Sequence, residues 1–432
     1  MSTVLPSRPP NRAPDPAPTR PAPGPRTRPV PAVRAGESNT LAAPAPAPAP
    51  APAPPARRVR DPFVDGVRAV GILLVVALHW LMVEAAWDGR ELEVGNALAH
   101  GPAWLLTWLQ PLPLLFFAAG AAARYDLARH PGEPGWRFAG VRLVRMARPV
   151  AVFAGIWALL VAALPHLGVP EAAVERVARI VPQPLWFLGV QLALLALAPL
   201  LVRTLRRFGG ARVLLVAAAL PVVVDLLRFS DELPIPGWPN VLLVWAVPFL
   251  GGLLDADRRL RPAPAAPAAR PAVPARLVLG LLAAAGLAAT VLLLLVGPYP
   301  VSLIGMPGDT MSNLAPPTAP VVGFAVAQVA GVLVFRDALG RWAGRSRLVR
   351  WSGARSMGLY LWHLTAMFAV SGVVLLGVGA ALPEPWTWDW WVSRAGYLGA
   401  AWGVLVAVVA VTDRLAGSRA RAPLARPAVS TP

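Results

Sequence analysis

From about residue 64 onward, the chain alternates between long apolar runs and short polar loops. Each run is close to the ~20 apolar residues that a transmembrane α-helix needs to cross a ~30 Å hydrocarbon core. We count ten such runs, which predict an all-α, polytopic membrane protein with about ten transmembrane helices. The predicted spans are 64–86, 102–124, 148–166, 184–203, 211–228, 240–256, 276–297, 318–336, 356–378 and 392–412.

Arginine is unevenly distributed over the loops between these runs. It concentrates in the loops after the second, fourth, sixth and eighth runs and in the C-terminal tail, whereas the intervening loops contain little of it. Because cytoplasmic loops of membrane proteins are enriched in basic residues, we predict that these loops and both termini are cytoplasmic. An even number of spans agrees with this orientation. The loop after the second run, for example, carries Arg124, Arg129, Arg137, Arg142 and Arg145.

The composition agrees with a membrane protein and excludes several kinds of chemistry. Charged residues make up 14% of the 432 residues, whereas soluble proteins carry about a quarter. The chain contains no cysteine and no lysine, which excludes thiolate nucleophiles, cysteine metal sites and Schiff-base catalysis. The formal charge of +18 comes from arginines spread over tails and alternate loops. We therefore expect no nucleic-acid partner, because that would need one compact basic surface.

The membrane domain is predicted to occupy residues 61–415, between two polar tails. Residues 1–60 are rich in proline, alanine and arginine and contain an Ala-Pro repeat at 43–54, which predicts a disordered cytoplasmic tail. Residues 416–432 are predicted to form a disordered C-terminal tail. The expected location is the inner or plasma membrane, where the arginine-rich loops would also contact lipid head groups.

The first span carries ionisable residues on one helical stripe. Arg68 and His79 are eleven positions apart, which is about 20° more than three helical turns and a rise of about 16.5 Å. Asp65 can pair with Arg68 at i, i+3 spacing. Because ionisable residues within a span usually mark function, His79 is a candidate base in a polar cavity open to the cytoplasm. The alternatives are a hydrogen bond from His79 to a neighbouring helix and an Arg68 that snorkels to the interface.

The ninth span repeats this pattern. Ser356, Tyr360 and His363 follow i, i+4, i+7 spacing and therefore share one stripe. If this second polar stripe faces the first, the two line the same cavity in the cytoplasmic half of the membrane. The alternative is a packed hydrogen-bond network between two helices.

Three arginines precede the third span at i, i+3, i+6 spacing. Arg142, Arg145 and Arg148 therefore share a helical face at the predicted cytoplasmic surface. Guanidinium groups in such a row can hold phosphates through bidentate hydrogen bonds. The alternative, which the spacing alone favours, is an anchor for lipid head groups.

Four motifs occur in order along these spans: Asp65-Gly66-Val67-Arg68 with His79, the Arg142/Arg145 pair, Leu185-Trp186-Phe187-Leu188, and Ser356 to Tyr360-Leu361-Trp362-His363. Over roughly residues 60–415 the chain resembles acyltransferase family 3, integral-membrane enzymes that O-acylate carbohydrates and other acceptors. The resemblance implies that His79 is the catalytic base, that Arg68 is essential, and that Arg142 and Arg145 serve the acyl-CoA donor. At residues 116–120 the chain reads Phe-Phe-Ala-Ala-Gly and lacks the family's usual Ser-Gly.

The expected reaction is therefore acyl transfer, with acetyl as the expected group, from acyl-CoA to a hydroxyl of a carbohydrate or lipid-linked acceptor. In this prediction Asp65, Arg68 and His79 form the catalytic group, and Arg142, Arg145 and Arg148 bind the donor. Acyl-CoA is a co-substrate, and we expect neither a bound cofactor nor a metal, since no histidine spacing is typical of a zinc site. One alternative is a transporter or flippase for a lipid-linked glycan or small metabolite. Another is a membrane acyltransferase of a different class, including those that acylate nitrogen.

Overall fold

The structure is a computed structural model, and it describes residues 61–230, 235–261 and 274–415. Most of these residues lie in α-helices, as the apolar runs predict. The two predicted tails, 1–60 and 416–432, lie outside the described residues. The helices are α1 (Pro62–Met82), α2 (Leu112–Arg129), α3 (Gly135–Ala163), α4 (Glu171–Ile180), α5 (Leu185–Phe208), α6 (Gly210–Arg228), α7 (Asn240–Leu260), α8 (Ala275–Val296), α9 (Ala319–Val334), α10 (Arg336–Arg345), α11 (Arg347–Ala354), α12 (Ser356–Gly372) and α13 (Trp388–Leu415).

Every predicted span corresponds to a helix of this structure. Among the described residues, nine helical segments are long and apolar enough to cross a bilayer, judged by length and composition. Counting α9 and α10, which meet at a 70° bend, as one broken span raises the number to ten. The prediction of an all-α polytopic membrane protein is therefore confirmed.

The ends of several spans depart from the prediction. The first run stops being helical at Met82, and Val83–Trp87 (β1) pairs in antiparallel register with Leu92–Asn96 (β2). The second run begins as a 3-10 helix, Gly101–Leu109, before α2. The third helix starts at Gly135, well before the predicted residue 148, so that the arginine row belongs to α3. Residues Val373–Val378 continue α12 as a π-helix.

The helix ends gather at two opposite faces. One face, here called the arginine-rich face, brings the start of α1 to the ends of α2 and α7, where Arg124 donates to Asp257 at 2.8 Å and Tyr125 to Asp61 at 2.9 Å. The other, here called the hairpin face, holds β1, β2 and residues 97–111, 165–184 and 297–318. There Leu303 N donates to Thr107 Oγ1 at 3.2 Å.

Glycine allows the closest helix contacts inside the membrane domain. α2 and α7 approach so closely at Gly120 and Gly252 that a Cβ at Gly252 would lie 2.0 Å from the Phe117 carbonyl oxygen. A Cβ at Gly286 of α8 would lie 2.6 Å from the carbonyl oxygen of Gly323 in α9. Small residues permit such approaches, and van der Waals packing between backbones then stabilises helix pairs in lipid.

Buried charges are compensated at both faces. On the arginine-rich face, Asp257 accepts from Arg124, Arg206 and Arg261. On the hairpin face, Asp225 accepts from Asn240 Nδ2 at 2.8 Å and from Tyr299 Oη at 3.0 Å. Burial, together with the neighbouring Asp225, raises the pKa of Tyr299, so its phenol stays protonated and donates. These pairs satisfy groups that lipid would otherwise leave unpaired.

Candidate active site

Two histidines from different helices are in contact inside the bundle. The ring centroids of His79 in α1 and His363 in α12 are 4.8 Å apart, with the rings edge to face. His363 is fully buried, whereas His79 is partly exposed and lines a cavity. Trp80, the next residue of α1, donates from Nε1 to the His363 carbonyl oxygen at 2.9 Å and fixes the two helices together.

Backbone carbonyls define the protonation pattern of both rings. His79 Nδ1 lies 2.8 Å from the Val75 carbonyl oxygen, and His363 Nδ1 lies 2.7 Å from the Tyr360 carbonyl oxygen. Because a carbonyl oxygen only accepts, Nδ1 carries the proton in each ring, and Nε2 of each neutral imidazole keeps its lone pair. His363 Nε2 is buried and has no hydrogen-bond partner among the described residues. His79 Nε2 is therefore the basic atom available at the cavity.

His79 lines a cavity of about 370 Å³, here called the hairpin-face cavity. Its lining includes Gln110 and Gln183 from the connections before α2 and α5, and Tyr360 from α12. Gln110 is buried, and its Oε1 accepts from Leu112 N at 3.2 Å. Its Nε2 has no hydrogen-bond partner among the described residues. A buried amide donor without a partner is costly, which makes Gln110 a candidate to bind a substrate oxygen.

A second cavity, of about 360 Å³, opens toward the arginine-rich face and is here called the arginine-face cavity. Its wall is formed by apolar parts of α1, α2 and α5 and by Ser356 and Tyr360 of α12. Ala118 and Ala119 line it at the position where the family's Ser-Gly is missing, so these two residues contribute no hydroxyl. The charged residues of its lining are Arg68, Asp126, Arg129, Arg142 and Arg145.

Tyr360 lines both cavities and separates them. Its hydroxyl donates to the Pro184 carbonyl oxygen at 2.6 Å, and its ring packs on Phe187 at 5.2 Å between centroids. α1 borders both cavities: Arg68 and Ile72 line the arginine-face cavity, and His79 lines the hairpin-face cavity. A substrate in either cavity would thus reach the same partition from opposite sides.

The prediction of one cytoplasm-facing cavity for both polar stripes was wrong. Arg68 and Ser356 line the arginine-face cavity, His79 lines the hairpin-face cavity, and His363 lines neither. The physical reason is the rise of about 16.5 Å between Arg68 and His79, which places them on opposite sides of Tyr360. Asp65 and Arg68 do form the expected ion pair, at 2.9 Å, although Asp65 is not part of the lining.

The three arginines of α3 have different surroundings. Arg142 donates to Asp126 and to the Phe138 carbonyl oxygen, and its guanidinium stacks on the Phe138 ring at 3.5 Å. Arg145 is exposed and lines the arginine-face cavity. Arg148 is exposed and is not part of the cavity lining, so the predicted row does not act as one unit.

Two further arginines were not predicted as site residues. Arg129, at the end of α2, lines the arginine-face cavity, and its place in an arginine-rich loop gave no specific signal. Arg394 lies within the predicted tenth span, where an ionisable residue is itself a signal of function. It lines a third cavity of about 660 Å³ on the hairpin face, with Glu84, Glu93 and Glu384 in the same lining.

Comparison with known proteins identifies the family of the membrane domain. The model of the acyltransferase 3 family, described as an acyltransferase domain, matches residues 61–413, which include every described residue of both cavities. The comparisons found no similar curated protein and no similar solved structure. The chain therefore belongs to acyltransferase family 3 and is a multi-pass membrane acyltransferase.

Proposed function

We propose that this acyltransferase moves an acyl group, with acetyl as the expected one, from acyl-CoA to a hydroxyl of a carbohydrate or another envelope or secondary-metabolite acceptor. The observation that carries the proposal is the position of His79 beside the Tyr360 partition, with an arginine-lined cavity on the other side. A base that lines one of two adjoining cavities suits a reaction in which two substrates meet. Membership of the family favours this reaction over transport.

The donor would enter from the arginine-rich face, which the positive-inside rule places at the cytoplasmic side of an inner or plasma membrane. Arg145 and Arg129 are the partners we propose for the phosphates of acyl-CoA, because guanidinium groups bind phosphate oxygens bidentately. Arg142 is paired with Asp126 and would hold the cavity wall in place. Arg68, paired with Asp65, would contribute positive charge deeper along α1.

The acceptor would occupy the hairpin-face cavity, with its hydroxyl at His79 Nε2. His79 takes the hydroxyl proton while the hydroxyl oxygen attacks the thioester carbonyl carbon. The negative charge then develops on the former carbonyl oxygen, for which Gln110 Nε2 is the available donor. When the carbon–sulfur bond breaks, coenzyme A leaves as a thiolate and takes the proton back from the His79 imidazolium. The products are the ester and coenzyme A, and the base is regenerated.

A transfer assay with the purified protein in lipid nanodiscs tests this proposal. Acetyl-CoA and an extract of envelope glycans and lipids are supplied, and acceptors are analysed by mass spectrometry. We expect acceptors whose mass increases by one acetyl group, at a rate about 10²–10⁴-fold lower for His79→Ala, because the general base is lost. The matched control is His100→Ala, since His100 is exposed and pairs with Glu84 on the same face. Product formed by His79→Ala at the wild-type rate would contradict the proposal.

A further inference from the structure

A fourth cavity, here called the apolar cavity, lies between α3, α4 and the end of α12. Its volume is about 500 Å³, within the range of roughly 300–1,000 Å³ that ligand pockets occupy. Its walls are mostly aliphatic, with Leu160 and Leu164 of α3, Val174 and Val177 of α4, and Leu375 of the π-helix. No charged side chain belongs to its lining.

The few polar side chains of this lining are already paired. Thr365 Oγ1 accepts from Trp157 Nε1 at 3.1 Å, and Ser371 Oγ is 3.3 Å from the Tyr397 hydroxyl. The lining therefore presents no unpaired polar side chain that would select a sugar or a phosphate. Its chemistry suits a hydrocarbon, which requires shape and apolar contact but no hydrogen bonds.

The rim of the apolar cavity is open at its side. Leu167, in the turn after α3, is 77% exposed, and Val373, at the start of the π-helix, is 63% exposed. Both residues also belong to the lining. Both side chains are apolar, Val373 lies within the candidate span Ser356–Val378, and Leu167 follows the span that ends at Ala163, so such an opening would lie at the edge of the bilayer. A hydrocarbon chain can enter there without crossing an aqueous phase.

The apolar cavity adjoins the candidate active site through one side chain. Phe368 of α12 lines both the apolar cavity and the hairpin-face cavity, in which His79 lies. A molecule with its chain in the apolar cavity and its polar end beyond Phe368 would place that polar end in the cavity of His79.

We propose that the apolar cavity binds the hydrocarbon chain of a membrane-embedded acceptor, which enters sideways from the bilayer and presents its hydroxyl to His79. This inference rests on the proposed function for the role of the hydroxyl, whereas the chain-binding site stands on the cavity itself. The acceptor class is thus an amphiphile, a hydroxylated head group on an aliphatic chain, rather than a water-soluble sugar.

Photolabelling tests the binding site without any need for activity. The probe is a dodecyl β-glucoside with a diazirine at the end of its chain, in phosphatidylcholine nanodiscs, and labelled peptides are read by mass spectrometry. We compare labelling of residues 157–177 and 365–377 with labelling of α8, whose Leu281 and Leu292 are exposed on the outside of the bundle. We expect the cavity-to-α8 ratio to exceed one and to fall at least fivefold with excess unlabelled dodecyl β-glucoside.

Two variants fill the cavity, and one serves as a matched control. Val174→Trp adds volume inside the lining, and Gly372→Leu adds a side chain where a Cβ would meet no atom within 4 Å, so its backbone is not strained. Ala162→Trp places the same indole on an exposed position of α3 outside the lining. We expect the labelling ratio to fall at least fivefold for the first two variants and to stay unchanged for the third.

Acetyl transfer links the cavity to the reaction. Transfer to dodecyl β-glucoside is expected to fall at least tenfold in Gly372→Leu and to stay at the wild-type rate in Ala162→Trp. Cavity labelling that neither excess glucoside nor the filling variants reduce would mean contact with bulk lipid only, and would overturn the inference. Specific labelling in a protein that acetylates neither dodecyl β-glucoside nor any extracted acceptor would instead contradict the proposed function and leave the chain-binding site standing.

Discussion

Arg145 and Arg148 occupy successive turns of α3 and share one helical face, yet only Arg145 lines the arginine-face cavity. Which turn reaches the cavity depends on where α5 and α12 pack against α3. The same argument applies to Arg68 and His79, whose common stripe on α1 serves two different cavities.

Arg145→Ala should therefore weaken donor binding, and Arg148→Ala should not. We expect the KM for acetyl-CoA to rise about tenfold for Arg145→Ala with little change in kcat, because a charge-assisted contact to phosphate contributes roughly 1.5–3 kcal/mol when it is well formed and less at an exposed site. The measurement is initial-rate kinetics with varied acetyl-CoA. Equal KM values for the two variants would assign no donor-binding role to Arg145.

Gln110 is a residue of the proposed site that no pattern along the chain indicates. It lies between a 3-10 helix and α2, and only the structure reveals that its buried Nε2 has no hydrogen-bond partner among the described residues. Its position in the lining beside His79 suggested its role in the proposed mechanism.

Gln110→Met should lower kcat more than it changes KM. The loss of one donor to a developing oxyanion typically costs about 10²–10³ in kcat, and we expect a decrease of about 10² here. Steady-state kinetics measure the change, and thermal unfolding in detergent verifies that the variant folds, since Gln110 Oε1 also accepts from Leu112 N. A folded variant with wild-type kcat would remove Gln110 from the mechanism.

At the scale of the elements, the spans follow from the sequence because a run of about twenty apolar residues has one stable form in lipid, the helix. The β1–β2 hairpin does not follow from the sequence. Val83–Trp87 continues the apolar pattern of α1, and only its pairing with Leu92–Asn96 distinguishes it from the helix. The amphipathic helices α10 and α11 are not predicted either, because the arginines in their sequences indicate a loop.

The close contact of α2 and α7 gives a prediction at this scale. Gly252→Ala should lower the free energy of unfolding by about 2 kcal/mol or more, because its Cβ would lie 2.0 Å from the Phe117 carbonyl oxygen and force the helices apart. Gly251→Ala is the matched control, since the atoms nearest its Cβ lie at 3.8 Å, an ordinary contact. Unfolding in a titration with a denaturing detergent measures both variants. Equal stability of the two would show that the two helices tolerate added volume at Gly252.

At the scale of the whole molecule, the two cavities lie toward the two faces that the loop charges distinguish. The arginine-face cavity and the hairpin-face cavity approach each other from opposite faces and meet at Tyr360. The loop charges predict which face is cytoplasmic, but no pattern along the chain predicts the partition. Tyr360 belongs to α12, whereas Pro184 and Phe187 lie at the start of α5, and only tertiary packing brings them together.

The central claim is that the acyl-CoA donor approaches from the arginine-rich face, whereas the acceptor hydroxyl is held at His79 in the hairpin-face cavity. Its most direct test measures acetyl transfer in sealed vesicles of known orientation, with acetyl-CoA, which does not cross the bilayer, added outside. We predict transfer when the arginine-rich face is outward, and transfer from inward-facing protein only after the vesicles are permeabilised. The account would be contradicted if sealed vesicles that expose only the hairpin face to acetyl-CoA showed the same transfer as vesicles that expose the arginine-rich face.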